Sequence, residues 1–321
     1  MSARTAIRAA VGIGVSIVAV VVLLQTVDIS GLGDRLSTLR PGWLLIAPVA
    51  LLLQLAIRSW RWAYLLTATT GVPVRALRVA GPLTVGYLAN ALLPARLGEV
   101  ARSILVARRE ALPFGGVVAS VVVERVLDLG ALLAIGVAAA GARNIGWNAF
   151  ALVGVLLAGL ALAIWLAPRL AGWAVRLVPG PVRAPIADFL RGLGAIGPRA
   201  AGAAIALSAV AWLGDIALMW ASARSLGFEL SAEATVAIAV GAALGTALPA
   251  VSGYIGTYEI GAVAIGSLAG TPPDVILAIA VIAHVLAVVP VALLGAVVVA
   301  GTGLPLARSA DEVAGPSGAP V

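Results

Sequence analysis

Residues 79–109 read VAGPLTVGYLANALLPARLGEVARSILVARR, an apolar segment interrupted by PARLG at 94–98. A second apolar segment, residues 234–270, is interrupted in the same way by PAVSGYIG at 249–256. Unpaired backbone is tolerated at membrane depth only where protein or a water-filled cavity surrounds it. We therefore predict that both segments are re-entrant helical hairpins that line a central cavity.

The composition around these segments indicates that lipid is the main solvent of the chain. Of its 321 residues, 62% are hydrophobic and 11% are charged, whereas a soluble domain carries about 25% charged residues. So few charges cannot cover a water-facing surface. All 21 basic residues are arginine, which is typical of a high-GC genome. We predict an all-α integral membrane protein of a bacterial plasma membrane.

Six further apolar runs are long enough to cross a hydrocarbon core of about 30 Å, which takes about 20 helical residues. They lie at residues 6–27, 43–66, 114–140, 149–167, 200–223 and 273–300. The first run is too long for the apolar part of a cleaved signal peptide, so we expect a retained anchor. We predict one polytopic membrane domain at 1–304 and a disordered, cytoplasmic tail rich in Gly, Pro and Ser at 305–321.

The distribution of charge predicts the orientation of these segments, because cytoplasmic loops carry an excess of arginine. Arg4 and Arg8 place the N-terminus in the cytoplasm. The first hairpin is expected to enter from the cytoplasm, since it is bracketed by Arg58, Arg61, Arg75, Arg78, Arg108 and Arg109. The second is expected to enter from outside, since its flanks are acidic on balance: Arg224, Glu229, Glu233 and Asp274. Both termini are then cytoplasmic.

The basic stretch at 168–199 is predicted to be cytoplasmic, either as a helix on the inner headgroups or as an ordinary loop. The net charge of +7 does not indicate nucleic acid. The arginines form short clusters between apolar runs. They do not form a basic stripe interleaved with exposed aromatic residues, which is typical of nucleic-acid binding. The clusters fit topology signals and contacts to anionic lipid headgroups.

The two interrupted segments also indicate an internal repeat with halves at about 43–140 and 200–301. Each half reads as a span, a broken hairpin and a second span. Arg125 and His284 lie twelve positions after Pro113 and Pro272, which is about 18 Å deep in a helix. Because the hairpins have opposite predicted orientations, we expect an inverted-repeat, transporter-like bundle with its substrate site at the midplane. The alternative is coincidence in a sequence rich in Ala and Leu.

Ionisable residues within the apolar segments are the candidate functional groups, because charges in a bilayer interior usually face a cavity or pair with each other. For Glu124, Arg125 and Asp128, which lie in the third span, the alternative is a structural ion network. For an acid that follows a break, the alternative is a cap for the helix dipole. For Arg96 and Arg102 it is a pair of positive-inside arginines, and for His284 a histidine bonded to a backbone carbonyl. The candidate substrate-binding residues are Arg96, Glu99, Arg102, Glu124, Arg125, Asp128, Asp215, Tyr254, Glu259 and His284. The backbone breaks are expected at Pro94, Gly98, Pro249, Gly253 and Gly256.

Three motifs, LPARLGEVAR at 93–102, VERVLD at 123–128 and SGYIGTYE at 252–259, resemble the lysylphosphatidylglycerol synthase transmembrane, or flippase-like, family over about 42–301. The third motif departs from the commoner Pro-Gly-Gly-x-Gly-x-x-Glu form at Ser252 and Tyr254. His284 also lies where many relatives have arginine. The resemblance implies a domain that binds and translocates phospholipids or polyprenyl-linked lipids. The soluble aminoacyl-transferase domain of the full-length multiple peptide resistance proteins is expected to be absent.

We therefore expect a flippase-like protein whose partners are membrane lipids, without a cofactor. With no cysteine and one histidine, the chain offers no thiolate or multi-histidine metal site. The sequence contains no paired-Asp phosphatidyltransferase motif, Asp-rich prenyltransferase motif or Lys/Arg/His phosphatase set, and we identify no catalytic residue. Two alternatives stay open: a membrane enzyme of lipid or glycolipid synthesis, and an accessory subunit that recruits a lipid- or glycan-synthesis enzyme.

Overall fold

The computed structural model describes residues 17–25, 39–93, 96–140, 180–248 and 252–302, together with scattered positions elsewhere. The described residues are helical or lie in turns between helices. The predicted breaks at Pro94 and Pro249, most of the predicted spans at 6–27 and 149–167, and the tail at 305–321 lie outside them. Within the first predicted span, residues 17–25 are helical.

The described part of the chain contains four long helices, two pairs of shorter helices and one further helix between the second and third long ones. A 3₁₀ turn, Pro41–Leu45, leads into the first long helix. In chain order the helices are α1 (Ile46–Thr70), α2 (Ala76–Leu92), α3 (Leu97–Arg109), α4 (Phe114–Ala140), α5 (Gly180–Gly194), α6 (Pro198–Ser225), α7 (Ala232–Gly245), α8 (Thr257–Gly266) and α9 (Pro273–Thr302).

Three of the described helical segments are long and apolar enough to cross a membrane: Pro41–Thr70, Pro198–Ser225 and Pro273–Thr302. Helix α4 has 27 residues and measures about 40 Å at 1.5 Å per residue, but it carries three ionisable side chains at its middle. These features confirm an all-helical membrane protein. The number of six spans and the re-entrant course of the hairpins remain predictions.

Both predicted interruptions separate a pair of short helices. Helix α2 ends at Leu92 and α3 begins at Leu97, after Arg96 in the left-handed region with φ 55°. The second interruption lies between α7 and α8. There Gly253, Tyr254 and Gly256 all have positive φ values, of 72°, 61° and 85°.

Gly98 lies inside α3 and does not form the break. A Cβ atom at Gly98 would come within 1.9 Å of the Gly86 carbonyl oxygen. The side chain of Asn90 also accepts a hydrogen bond from the Gly98 amide at 2.8 Å. Gly98 therefore permits close packing of α3 on α2, and the described backbone departs from helical geometry at Leu93 and Arg96 instead.

The α7–α8 pair is packed equally closely through small residues. A Cβ atom at Gly241 would lie 2.2 Å from the Gly261 carbonyl oxygen, and one at Gly245 would lie 2.0 Å from that of Thr257. Without a hydrophobic driving force between helices in lipid, such small residues allow the backbones to approach and gain dispersion energy. Each broken segment is thus a tightly packed helical hairpin.

The contacts between helices of the two predicted halves are unchanged when the halves are exchanged. Helices α1 and α6 pack against each other, α2 packs on α9, and α7 packs on α4. If α1, α2, α3 and α4 are replaced by α6, α7, α8 and α9, and the reverse, the contact of α2 with α9 becomes the contact of α7 with α4. The contacts of α4 with α6 and of α9 with α1 are related in the same way. The inverted orientation of the halves remains a prediction.

Between the halves, residues Gly180–Gly194 of the basic stretch form the helix α5, and a position of this stretch on the inner headgroups remains a prediction. It packs on α4, where a Cβ atom at Gly115 would lie 2.1 Å from the Pro185 carbonyl oxygen. Phe189 and Leu193 join a core cluster with residues of α1, α4 and α6. Helix α5 therefore packs beside α1 and the beginning of α4.

Candidate functional site

A cavity of about 200 Å³ lies where the two interruptions meet. Five helices and both interruptions supply its polar lining, and the remaining surface is apolar. Six of the predicted site residues line it: Arg96, Glu99, Arg125, Asp215, Gly253 and Tyr254. Further polar lining residues are Gln54, Arg58, Tyr87, Asn90 and Thr246.

The two interruptions cap each other. Arg96, after α2, donates hydrogen bonds from its guanidinium to the carbonyl oxygen of Thr246, at the end of α7; the bond from Nε measures 3.2 Å. In the other direction, the Ser252 hydroxyl donates to the carbonyl oxygen of Leu92, at the end of α2, at 2.8 Å. Carbonyl groups freed at a helix end need such partners in a low-dielectric interior. The Arg96 guanidinium also lies 5.5 Å from the ring centroid of Tyr254.

Two arginines of the cavity share one carboxylate. Arg125 Nε lies 3.3 Å from Glu99 Oε1, and Arg96 Nη1 lies 3.4 Å from the same atom. The Arg125 side chain is 38% exposed, so part of its guanidinium faces the open space. Its remaining ion pairs reach Glu124 at 3.2 Å and Asp128 at 3.8 Å.

Behind the cavity wall, four ionisable side chains form a buried network: Arg61, Arg102, Glu124 and Asp128. Arg61 is fully buried. It bonds Asp128, approaches Glu124 at 3.1 Å, and donates to the Ser208 hydroxyl at 2.6 Å. Arg102 pairs with the other oxygen of Glu124 at 3.1 Å and lies 4.4 Å from the ring centroid of Trp62. With every group ionised, these four side chains carry no net charge.

Sequence reasoning missed Arg58 and Arg61, which it counted among the positive-inside arginines. In the structure Arg58 pairs with Asp215 at 2.9 Å on the cavity wall, and Arg61 lies in the buried network. The signal was available, since both residues lie inside the apolar run at 43–66, three positions apart and so on one helical face. Their charges are stabilised by acids of other helices and give no information on orientation. The first hairpin remains bracketed by Arg75, Arg78, Arg108 and Arg109.

Glu259 and His284 lie together behind the second interruption and do not line the cavity. The imidazole Nδ1 is 2.6 Å from Glu259 Oε1, and Nε2 is 2.7 Å from the Gly253 carbonyl oxygen. The ring of Tyr258 stacks on the imidazole at a centroid distance of 4.3 Å. Glu259 Oε2 accepts the Gly256 amide at 2.8 Å, as expected of a carboxylate that caps α8.

The cavity lining carries one surplus positive charge when its arginines and carboxylates are ionised and its tyrosines are neutral. Arg58, Arg96 and Arg125 face it, against the carboxylates of Glu99 and Asp215. Among the described residues, no group of three or more His, Asp and Glu side chains is placed to hold a metal ion. The arrangement therefore suits an anion with oxygen acceptors, because guanidinium groups bind such anions through charge-assisted hydrogen bonds.

Apolar helices of spanning length, interrupted helices that meet at a polar cavity and buried ion pairs define a polytopic membrane protein with an internal polar site. The chain belongs to the family described as the lysylphosphatidylglycerol synthase TM region, whose family model matches residues 9–295. This match confirms the resemblance carried by the three motifs, and it places the chain among membrane proteins of lipid-related processes. No curated protein and no solved structure matches the chain.

Proposed function

We propose that this protein moves a lipid with an anionic phosphate headgroup between the leaflets of a bacterial plasma membrane. The observation that carries the proposal is the surplus positive charge of the cavity at the junction of the two helix interruptions. Membership of a lipid-related membrane family supports it. A cavity of about 200 Å³ is below the roughly 300–1,000 Å³ of pockets that enclose whole drug-sized ligands. It would hold a headgroup while the acyl or prenyl chains stay in the bilayer.

Arg125 and Arg96 are the groups that we expect to bind the phosphate. Both already place donors beside Glu99 Oε1, so a phosphate oxygen would replace one acceptor with another. Arg125 is the more accessible donor because its side chain is 38% exposed. The neutral network behind it would hold the helix positions, since Glu124 contacts Arg61, Arg102 and Arg125 at once.

The contacts between the halves support alternating access as the mechanism. In transporters built from inverted repeats, one half rocks against the other around a fixed site near the midplane. Here α2 packs on α9 and α7 on α4, so each hairpin is packed against the last long helix of the other half. A rocking motion would open the cavity to one leaflet at a time. This mechanism requires that both hairpins are re-entrant and that they enter the membrane from opposite sides.

Lipid movement in proteoliposomes tests the proposal. We expect fluorescent phosphatidylglycerol or a labelled polyprenyl phosphate to become accessible to an external quencher faster than in empty liposomes. Zwitterionic phosphatidylcholine should move more slowly, because its choline brings a positive charge to a cavity that is already positive. Equal rates with and without the protein for all three lipids would contradict the proposal. Equal acceleration of all three would contradict selection by the arginines.

A further inference from the structure

The imidazole of His284 is buried between two oxygen acceptors on opposite sides of its ring. Nε2 lies 2.7 Å from the carbonyl oxygen of Gly253, and Nδ1 lies 2.6 Å from Glu259 Oε1. A backbone carbonyl only accepts hydrogen bonds, so Nε2 carries a hydrogen. One further proton must lie between Nδ1 and Oε1, because two lone pairs at 2.6 Å would repel.

The other carboxylate oxygen bears on the position of that second proton. Glu259 Oε2 accepts the amide hydrogen of Gly256 at 2.8 Å, and a hydrogen bond donated to a carboxylate favours its ionised form. This contact favours a proton on the ring, as an imidazolium beside a carboxylate. If it leaves, the single remaining ring hydrogen can serve only one of the two contacts. Either Gly253 or Glu259 then loses its bond to the ring.

We propose that Glu259 and His284 form a proton-binding site, and that the bound proton holds the second interruption in its cavity-lining conformation. Gly253 links the proton-binding site to the cavity, since its carbonyl contacts the imidazole and its backbone lines the cavity. Tyr254 follows it with φ 61°, a left-handed conformation that is unfavourable for a non-glycine residue. The contact of His284 with Gly253 helps to maintain this strained turn.

The proton would also act on the charge of the cavity, and this part of the inference rests on the proposed function. The protonated pair is neutral, whereas the deprotonated pair carries one negative charge that offsets the surplus positive charge of the lining. Proton binding and phosphate binding should therefore favour each other, as reciprocal coupling requires. The chain would carry a proton and an anionic headgroup together.

The surroundings of the pair leave this charge balance intact. Tyr258 stacks on the imidazole from α8, and Tyr254 faces Arg96. One turn beyond His284, Ala287 of α9 lines the cavity. The ionisable residues that other helices place on that cavity are Arg58 of α1, Tyr87 of α2, Glu99 of α3, Arg125 of α4 and Asp215 of α6. None of these side chains is hydrogen-bonded to the imidazole in the described structure.

His284 is the only histidine of the chain, so its protonation can be observed directly. Protein labelled with ¹⁵N-histidine, purified through a histidine-free tag and reconstituted in liposomes, would be examined by solid-state NMR between about pH 5 and about pH 8. We expect both ring nitrogens to be protonated at the acidic end and one to lose its proton as the pH rises. A ring whose charge does not change over this range overturns the proposal, and this result requires no variant.

The variant Glu259→Gln tests the role of the carboxylate. Its amide oxygen can accept from Gly256 while its NH₂ group donates to Nδ1, so both contacts persist with a neutral ring. We expect a single neutral tautomer at every pH. A ring that titrates in this variant as it does in the wild type overturns the assignment of Glu259.

Transport separates this inference from the proposed function. We expect wild-type translocation of phosphatidylglycerol to be about fivefold or more faster at the acidic end than at the alkaline end, with this dependence lost in Glu259→Gln. The matched control is Glu229→Gln, an exposed carboxylate paired with Arg224, which should keep the wild-type pH dependence. A titrating ring in a protein that moves no lipid would overturn the proposed function alone. Transport whose pH dependence survives in Glu259→Gln would overturn the coupling alone.

Discussion

Arg61 and Arg125 contact the same two carboxylates, Glu124 and Asp128, from different environments. The Arg61 side chain is fully buried, whereas that of Arg125 is 38% exposed towards the cavity. Removing one partner of a buried ion pair leaves an uncompensated charge in low dielectric. At a partly exposed position, water replaces the missing partner at little cost. The first arginine is therefore expected to determine stability, and the second to determine binding.

Replacing Arg61 by Gln should destabilise the protein by about 3–5 kcal/mol, because Glu124 and Asp128 keep their burial and lose a shared cation. The expected observation is poor membrane insertion, or a large loss of thermal stability in detergent. Arg78→Gln is the matched control, since the Arg78 side chain is 61% exposed and, among the described residues, forms an ion pair with Glu110 alone. A variant at Arg61 that is as stable as this control would contradict the structural role of the network.

Replacing Arg125 by Gln should leave stability close to that of the wild type and reduce lipid translocation. A charge-assisted hydrogen bond contributes about 1.5–3 kcal/mol, which corresponds to a decrease of about tenfold to about a hundredfold. Stability and translocation of phosphatidylglycerol would be measured on the same preparation. Severe destabilisation would assign Arg125 to the structural network, and an unchanged rate would remove it from the site.

Among the structural elements, the two helix pairs differ in how they maintain their interruptions. The first turns at Arg96, whose side chain caps the end of α7. The second turns at Gly253 and Tyr254, with Ser252 capping the end of α2. Since each cap depends on the opposite pair, neither interruption has its full set of hydrogen-bond partners alone. The caps connect the two predicted halves directly at the interruptions.

Close packing within a pair can be tested at its glycines. Gly98→Ala should destabilise the protein, because its Cβ atom would meet the Gly86 carbonyl oxygen at 1.9 Å. Overpacking of this kind costs about 1–3 kcal/mol or more. Gly81→Ala makes the same change in α2, where the new Cβ atom would lie 3.5 Å from Val298. Thermal unfolding should separate the two variants, and equal stabilities would mean that α3 moves away from α2 without cost.

The order of these elements was readable from the sequence because Pro and Gly interrupt apolar runs at two places with matching flanks. The ion-pair partners of the charged residues could not be read from the sequence. Helix α1 is apolar on nearly all sides, so its periodicity does not reveal which face points inward. From the sequence alone, Arg58 and Arg61 therefore have the pattern of loop charges, although each pairs with an acid from a distant part of the chain. The sequence likewise places Gly98 at the break, because glycine at a helix start and glycine at a close contact give the same signal.

For the whole molecule, the orientation of the two halves determines whether the site can alternate between leaflets. The helix contacts are related by exchange of the halves, and this relation fits a two-fold axis within the membrane plane. With that axis, the start of α2 and the start of α7 lie on opposite sides of the bilayer. An axis along the membrane normal would place both starts on the same side. The positive-inside rule favours the first arrangement, with Arg78 in the cytoplasm and Glu229 outside.

Single cysteines distinguish these two arrangements, because the chain contains none of its own. Arg78→Cys and Glu229→Cys lie at exposed positions whose ion pairs contribute little to stability. We expect a membrane-impermeant maleimide added to intact cells to label the cysteine at 229 and not the one at 78. After permeabilisation both should react, which controls for accessibility. Labelling of both from outside, or protection of both until permeabilisation, would place the two hairpins on one side. Rocking of inverted halves around the cavity would then be impossible.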